Sequence, residues 1–421
     1  MRRGPSPACV FIFLIWRKRS LHPLILLADD LTGTLDTCVQ LAEMNCSAVA
    51  FCDADGFFQR DTGSETACAV CLCTRHLPAG EAYRTTRRFL ERLRQQGPSR
   101  LYLKTDSGLR GNIAAVFQAA LDVFRRDVAF VPAYPGMGRT VIHGKLFIHG
   151  VPVSQSLYGR DPLEPIHDDA VKHILQAKPP LSFHEPDDPR DHPPSVSVYD
   201  AATDADLARI AARLSGRDVI LAGCAGFAGF LPDCLGLPQA PAETASPRAP
   251  FLVVSGSASE LSLRQLRAAQ ENGACARLLA HPLDVCRDST ADAEAVWRAL
   301  KEGRNVLVEI ARTPDEARSL SQAAAAAGLS RSETAERLVG SIANVVCGVM
   351  ERGFNGTLFV IGGDTLGAVV RRLRIRKVYP LRELAPGIVL SKTGSGGVLI
   401  SKSGSFGGER SVADLLSESR H

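Results

Sequence analysis

Short unbroken apolar runs alternate along this chain with longer stretches whose apolar residues recur every three or four positions. Leu24-Ile25-Leu26-Leu27-Ala28 is the first such run. Without polar alternation it predicts a parallel strand covered on both faces. Leu35, Val39, Leu41 and Ala42 then mark one face of a helix opened by Thr32-Gly33. Further strands are expected at Ala48–Cys52, Ala67–Thr74, Leu101–Leu103 and Val128–Val131, and helices over Glu81–Gln95 and Asn112–Phe124. Gly144 and Gly150 suggest a hairpin within Val141–Val153. This alternation predicts an α/β fold with an open sheet, whose ligands sit beyond the carboxyl ends of strands.

Two proline-rich stretches punctuate the pattern. Lys178–Ser195 reads as a long surface loop, and Leu237–Pro250 as an interdomain linker. After the linker, Phe251–Val254 starts a second α/β unit, with further strands at Val306–Ile310, Leu358–Ile361 and Val398–Ser401. The expected organisation is a basic extension (1–22), a first domain (23–236), the linker (237–250) and a second domain (251–421). Each lobe should be a mostly parallel sheet flanked by helices, with the active site in the cleft between them.

Composition narrows the function. An apolar share of 45% and a charged share of 22% are those of a globular protein. No apolar run reaches the ~18 residues of a membrane span. The net charge of +4 is misleading, because Arg2, Arg3, Arg17, Lys18 and Arg19 supply five positive charges within the first 20 residues. The rest of the chain stands at −1 and lacks the basic face that nucleic-acid binding requires. Val10–Trp16 resembles the apolar core of a signal peptide, but Arg17-Lys18-Arg19 stands where a cleavage site should be. Twelve scattered cysteines are too sparse for a disulfide scaffold. Cys68, Cys71 and Cys73 read as buried thiols of a cytoplasmic protein rather than a metal set.

Several clusters at strand ends could carry chemistry. Asp29-Asp30 ends the first strand, and side chains adjacent in extended chain point apart, so the two carboxylates should differ in role. Lys104-Thr105-Asp106-Ser107 and Arg110 precede a helix and suit an anionic group such as a carboxylate. Arg139 follows a rigid Pro/Gly loop. His167-Asp168-Asp169 with His173 could be drawn as metal ligands, although a solvated helix start explains them, and no metal ligand is assigned. In the second half, Gly256-Ser257-Ala258-Ser259, Gly362-Gly363-Asp364-Thr365 and Lys402-Ser403-Gly404-Ser405-Phe406-Gly407 follow strands. Helices are expected from Glu260 and Gly367. Glycines and hydroxyls in such turns cradle phosphates through backbone N–H groups. The Walker and dinucleotide fingerprints are missing: Gly144-Lys145-Leu146 lacks the hydroxyl residue, and Gly223 to Gly229 is spaced G-x-x-G-x-x-G. The residues alone suggest one lobe for a polyhydroxylated anion and another for a polyphosphate.

From Leu24 to Val412 the chain resembles the four-carbon acid sugar kinase family. The resemblance rests on Ala28-Asp29-Asp30-Leu31-Thr32-Gly33, Thr74-Arg75, Lys104–Ser107 with Leu109–Asn112, and Pro132–Pro162 including Gly138-Arg139-Thr140. The Gly/Ser turns of the second lobe also match. It implies a sugar-acid-binding first domain, an ATP-binding second domain and transfer of phosphate to the terminal 4-hydroxyl. Threonate or erythronate is the expected acceptor. A 3-oxo-tetronate kinase and a non-catalytic sugar-acid-binding regulator are the alternatives. It further implies Asp29 and Asp30 as catalytic residues, and Arg75, Lys104, Asp106, Ser107, Arg110 and Arg139 as substrate ligands. ATP would meet Ser257, Ser259, Gly362, Gly363, Asp364, Thr365, Gly404 and Gly407. Mg²⁺ follows from the chemistry, and a homodimer is allowed for. Departures at Thr34, Gly108 and Ile166–Asp169 bear on which acid sugar is chosen; Ser405, also unlike the family, keeps a small polar side chain.

Overall fold

The computed structural model describes residues 23–418 apart from 61–64, 98, 161–164, 177–180, 189–191, 241–242, 258, 272–275, 280–288 and 405. The basic extension, the Asp161-Pro162 pair, Ala258 and Ser405 therefore lie outside the described residues.

Seventeen strands form among these residues. In the first lobe they are β1 (Leu24–Ala28), β2 (Ala48–Phe51), β3 (Ala67–Cys71), β4 (Arg100–Lys104), β5 (Val128–Val131), β6 (Arg139–Ile142), β7 (Lys145–Ile148), β8 (Val151–Pro152), β9 (Val196–Val198) and β10 (Ile220–Gly223). The second lobe contributes β11 (Phe251–Ser255), β12 (Ala276–Leu279), β13 (Val306–Glu309), β14 (Thr357–Ile361), β15 (Lys377–Ala385), β16 (Ile388–Thr393) and β17 (Val398–Lys402). The first lobe's main strands run in the order β2-β3-β1-β4-β10-β5-β9, all parallel. The apolar runs of β1, β2 and β3 are buried throughout, as covered parallel strands require. Cys68 and Cys71 are buried as expected, but Cys73 is exposed because β3 ends at Cys71. Strands β6–β8 form the expected hairpin region as a separate small antiparallel sheet.

The second lobe orders its strands β12-β13-β11-β14-β17 in parallel, then adds β16 and β15 antiparallel. Strand β15 pairs antiparallel with β2 through Lys377 opposite Phe51 and Val378 opposite Ala50. Two lobes with their own sheets therefore join edge to edge into one sheet of fourteen strands. Such pairing covers two edges that would otherwise expose unpaired backbone groups. Residues 237–250 contain no helix or strand among those described.

The order also places two switch points. The chain leaves β1 for β2 and β3 on one side and for β4 on the other, and leaves β11 for β13 on one side and β14 on the other. Crevices at the carboxyl ends of such strands are where open α/β sheets bind ligands. Asp29-Asp30 and Arg75 follow β1 and β3, and Lys104 is the last residue of β4.

Candidate active site

Asp30, two residues past β1, caps the helix α1 (Leu31–Glu43). Its Oδ1 accepts from Gly33 N–H at 3.2 Å, and its Oδ2 accepts from Thr32 Oγ1 at 2.7 Å. Thr34, fully buried, donates to Asp30 O at 2.6 Å. That departure from the family pattern thus serves the helix start and does not face the cleft.

Arg75 ties the two carboxylates together. It donates to Asp29 through Nε at 2.9 Å and Nη2 at 2.8 Å, a bidentate pair, and Nη2 reaches Asp30 Oδ1 at 2.9 Å. Burial pushes the Asp29 carboxyl up from its ordinary value, against the pull of Arg75. Burial would raise Asp30 as well, but Arg75 and Lys104 outweigh it and hold Asp30 below the usual carboxylate range. The two carboxylates have different surroundings. Asp29 is buried and occupied by Arg75, whereas Asp30 lines the cleft.

The segment after β4 is partly self-neutralised. Arg110 grips Asp106 through Nε at 2.9 Å and Nη2 at 3.0 Å, the i,i+4 spacing on which opposite charges meet. With that pair, Arg75 and Lys104 drive Asp106 far below its ordinary value, against the upward push of burial. Lys104 is different. Its ammonium sits against Gly33, where an added Cβ would come within 2.7 Å of Nζ. Its charge lowers Asp30, Asp36 and Asp106, yet no carboxylate among the described residues reaches ion-pair distance of it. Gly108 packs under Tyr158, where any Cβ would lie 2.1 Å from the ring, so this departure makes room for the aromatic ring over which Arg110 lies.

The cleft enclosed by these residues measures about 540 Å³ with its open mouth. Its far wall comes from the second lobe: Gly387, Val389, Ser401, Ser403 and Phe406. Ser107 lines the near wall, as do Asp36, Tyr134 and Cys224, which are not among the site residues expected from sequence. Asp36 is half-buried, and burial pushes its carboxyl up to about 7. Its one sequence signal is a place three residues after Gly33, on the same helical face. Arg139, also buried, stacks behind Phe406, 5.1 Å from the ring centre, and donates to Met137 O. It supports the wall without lining the cleft.

The Gly/Ser turns of the second lobe converge. Ser259 and Ser262 hydroxyls both donate to Gly404 O, at 3.1 and 3.0 Å, and Ser257 Oγ donates to Ser259 Oγ at 3.2 Å. A Cβ on Gly404 would come within 2.8 Å of Ser257 Oγ. Gly362, at φ 103°, caps α3 (Gly363–Arg372; α2 is Ile113–Phe124), so Gly363-Asp364-Thr365 forms the first turn of a helix expected only from Gly367. The early start follows from the left-handed Gly362, which turns the chain directly into the helix. Thr365 is buried and accepts from Gly256 N–H at 3.1 Å, locking two turns together. Asp364 is largely exposed and faces His76 of the first lobe at 4.0 Å. Gly407, at φ 85°, lies beside Gln265 and Ser411, to one side of the serine cluster. The lobes meet at Gly363, where a Cβ would stand 3.1 Å from Thr32 Oγ1 and 3.7 Å from Asp30 Oδ2. A helix N-terminus, three hydroxyl-rich turns and an ionised carboxylate thus face one seam, an arrangement suited to bringing a phosphate group to an alcohol.

Comparison with known proteins agrees with this geometry. Residues 24–231 match the sugar-binding N-terminal domain model, and residues 252–412 match the nucleotide-binding C-terminal domain model. A D-threonate kinase of Salmonella typhimurium is 28% identical, over 93% of this chain and 97% of that one. A 3-oxo-tetronate kinase of Cupriavidus necator is 30% identical, over 91% and 94%. A D-erythronate kinase of Heliobacterium modesticaldum is 27% identical, over 86% and 88%. The fold recurs in crystal structures of proteins from Salmonella typhimurium LT2 (TM-score 0.76, 22% identity) and Haemophilus influenzae (TM-score 0.71, 21% identity), each covering 94% of this chain and 99% of that one.

Proposed function

The chain belongs to the four-carbon acid sugar kinase family, and from that premise we propose that it transfers the γ-phosphoryl group of ATP to the 4-hydroxyl of threonate or erythronate. It is a sugar-acid kinase; the choice of acid, the residue roles and the division of labour on either side of residues 237–250 belong to the proposal. Asp30 takes the terminal hydroxyl, orienting it and accepting its proton as the phosphoryl group transfers. Asp29 is a positioning residue that acts through Arg75. Lys104 holds the substrate carboxylate, with Ser107 and the Asp106–Arg110 pair shaping that end of the cleft. The nucleotide phosphates lie over Ser257, Ser259, Gly362, Gly363 and Gly404.

The observation that carries this reading is the seam itself. Asp30 stays ionised, lines the sugar-acid cleft and lies beside the first residue of α3 in the other lobe. Mg²⁺ asks for few protein ligands and is held largely by phosphates and water. The exposed carboxylate of Asp364, in the first turn of α3, fits that demand. When bound, Mg²⁺ neutralises phosphate charge as it shifts to the leaving group. A cytoplasmic location fits the reading, and no helix among the described residues is long and apolar enough to cross a membrane.

A coupled assay of ADP release across D- and L-threonate, erythronate and their 3-oxo acids tests the acceptor. The same assay on two variants tests the roles. Asp30→Asn should lower turnover ~10²–10⁴-fold with ATP affinity retained, the range for a lost general base. Asp29→Asn should act through Arg75, lowering stability and sugar-acid affinity more than the chemical step. Near-normal turnover in Asp30→Asn would remove it from the chemistry, and preferred turnover of a 3-oxo acid would reassign the substrate.

A further inference from the structure

The end of the first lobe's sheet opposite the cleft holds a second cluster of chemistry-bearing side chains. Asp127 immediately precedes β5, so it stands at the amino ends of the strands. His184 and His192 belong to the proline-rich segment along the edge strand β9, where His184 N–H donates to Val196 O at 3.2 Å. Ligand atoms of Asp127, His184 and His192 all lie within 4.8 Å of one another, and among the described residues no other group of three does so. His184 Nε2 is 3.7 Å from Asp127 Oδ1, and the two imidazole rings face each other at 4.0 Å.

The rings are oriented through their other nitrogens. His184 Nδ1 lies 2.9 Å from Glu185 O, and His192 Nδ1 lies 2.9 Å from Pro193 O. A carbonyl only accepts, so each Nδ1 is placed to donate, and each Nε2 is the ring nitrogen left for a metal. Asp127 is fixed in turn by Ser195 N–H at 2.8 Å, and Ser197 Oγ lies 3.1 Å from His184 Nε2.

We propose that Asp127, His184 and His192 bind a divalent transition metal of the zinc class, stapling His184 and His192 to the amino end of β5. Two neutral imidazoles and one carboxylate form a donor set suited to Zn²⁺, and backbone carbonyls on the distal nitrogens are the outer shell such ligands carry. Bond lengths of ~2.0–2.2 Å need tighter spacing than 4.8 Å, a closure of side-chain size. All three residues are partly exposed, which leaves a path for the ion and space for a water in the fourth position. His173 and Asp168, drawable as ligands from sequence, form only an exposed pair at 3.2 Å.

The site lies at the far end of the sheet from the cleft, so its metal should support the fold without touching phosphoryl transfer. The test uses the full chain without a histidine tag, stripped with chelator and dialysed against Zn²⁺ alone. One Zn²⁺ per chain is expected, with a higher thermal midpoint and unchanged turnover after dialysis. His184→Ala and His192→Ala should each weaken binding by more than about 100-fold. Asp127→Asn keeps an acceptor for Ser195 and should weaken it too. Retained kinase turnover certifies that each variant is folded. No stoichiometric Zn²⁺ on the wild type would overturn the proposal, as would equal binding by the wild type and both histidine variants.

Discussion

Replacing Asp36 by Asn should stabilise the ligand-free protein and weaken its hold on the sugar acid. Burial pushes this carboxyl from 3.8 to about 7; Glu383 and Asp30 add to the rise, and Lys104 and Arg139 oppose it. Between about pH 4 and pH 7 the folded chain keeps a proton that the unfolded chain has released. Stability therefore falls as pH rises through that window and levels off above about 7. The gap corresponds to at most ~4 kcal/mol of ionisation cost, and partial solvent access screens it to about 2 kcal/mol. Asn keeps the shape and never ionises. In ligand-free protein Asp36→Asn should thus gain about 2 kcal/mol over the wild type at pH 8, with the gain nearly gone towards pH 4. Denaturant midpoints across that range measure it. Substrate binding should move the other way. No hydrogen-bond donor among the described residues reaches the Asp36 carboxylate. A substrate hydroxyl donating to it forms a charge-assisted bond of about 1.5–3 kcal/mol, so titration calorimetry with threonate above pH 7 should show an affinity loss of ~10–100-fold. A stability difference that does not grow with pH would refute burial as the source, and an unchanged affinity would take Asp36 off the binding surface.

Gly363→Val would press a branched side chain against Thr32 at the seam, lowering nucleotide affinity and turnover at least ~100-fold; sugar-acid binding without nucleotide should change little, and equal loss of both ligands in calorimetry would mean misfolding instead. Lys402 is fully buried, and burial pushes its ammonium down to about 7. Wild-type stability should therefore fall as pH drops from about 10 to 7, and Lys402→Met should be about 2–4 kcal/mol more stable near pH 7 with the gain vanishing towards pH 10 in urea titrations; a pH-independent difference would contradict this.

The legible parts of this fold share a physical cause. Parallel strands covered on both faces must be unbroken apolar runs, so β1, β3, β4 and β5 declare themselves, and with them the residues at their carboxyl ends. The glycine and serine turns after β11, β14 and β17 stand out because close backbone approach excludes most other residues. Strand β15 was hidden, since Lys377–Ala385 mixes charges and proline with half-buried positions, and its partner β2 lies over 300 residues away in sequence. The start of α3 was hidden because Gly-Asp-Thr has poor helix propensity, which the packing of Thr365 against Gly256 overrides. Asp36 and the Asp127–His184–His192 cluster were hidden for a third reason. A carboxyl becomes unusual only when tertiary packing buries it, and three side chains spread between residues 127 and 192 carry no spacing signature.

The balance of charge in the cleft gives the proposed substrate class its physical sense. Arg75 is taken up by Asp29 and Asp30, and Asp106 is gripped by Arg110. Among the described residues Lys104 and Asp36 line the same cleft with no hydrogen-bond partner for either charged end. A buried cation without a counter-charge and an ionised, half-buried carboxyl without a donor are costly, and a ligand that brings an anion to one and a hydroxyl to the other relieves that cost. A neutral polyol would leave Lys104 without its counter-charge. A dicarboxylate would set its second charge against Asp36 or Asp30 and, without a terminal hydroxyl, would offer nothing to phosphorylate. A hydroxylated monocarboxylate answers both needs in one molecule. On the proposed reading, the residues left unpaired in the ligand-free protein select the acid sugar, and the paired ones hold it against the seam where the phosphate arrives.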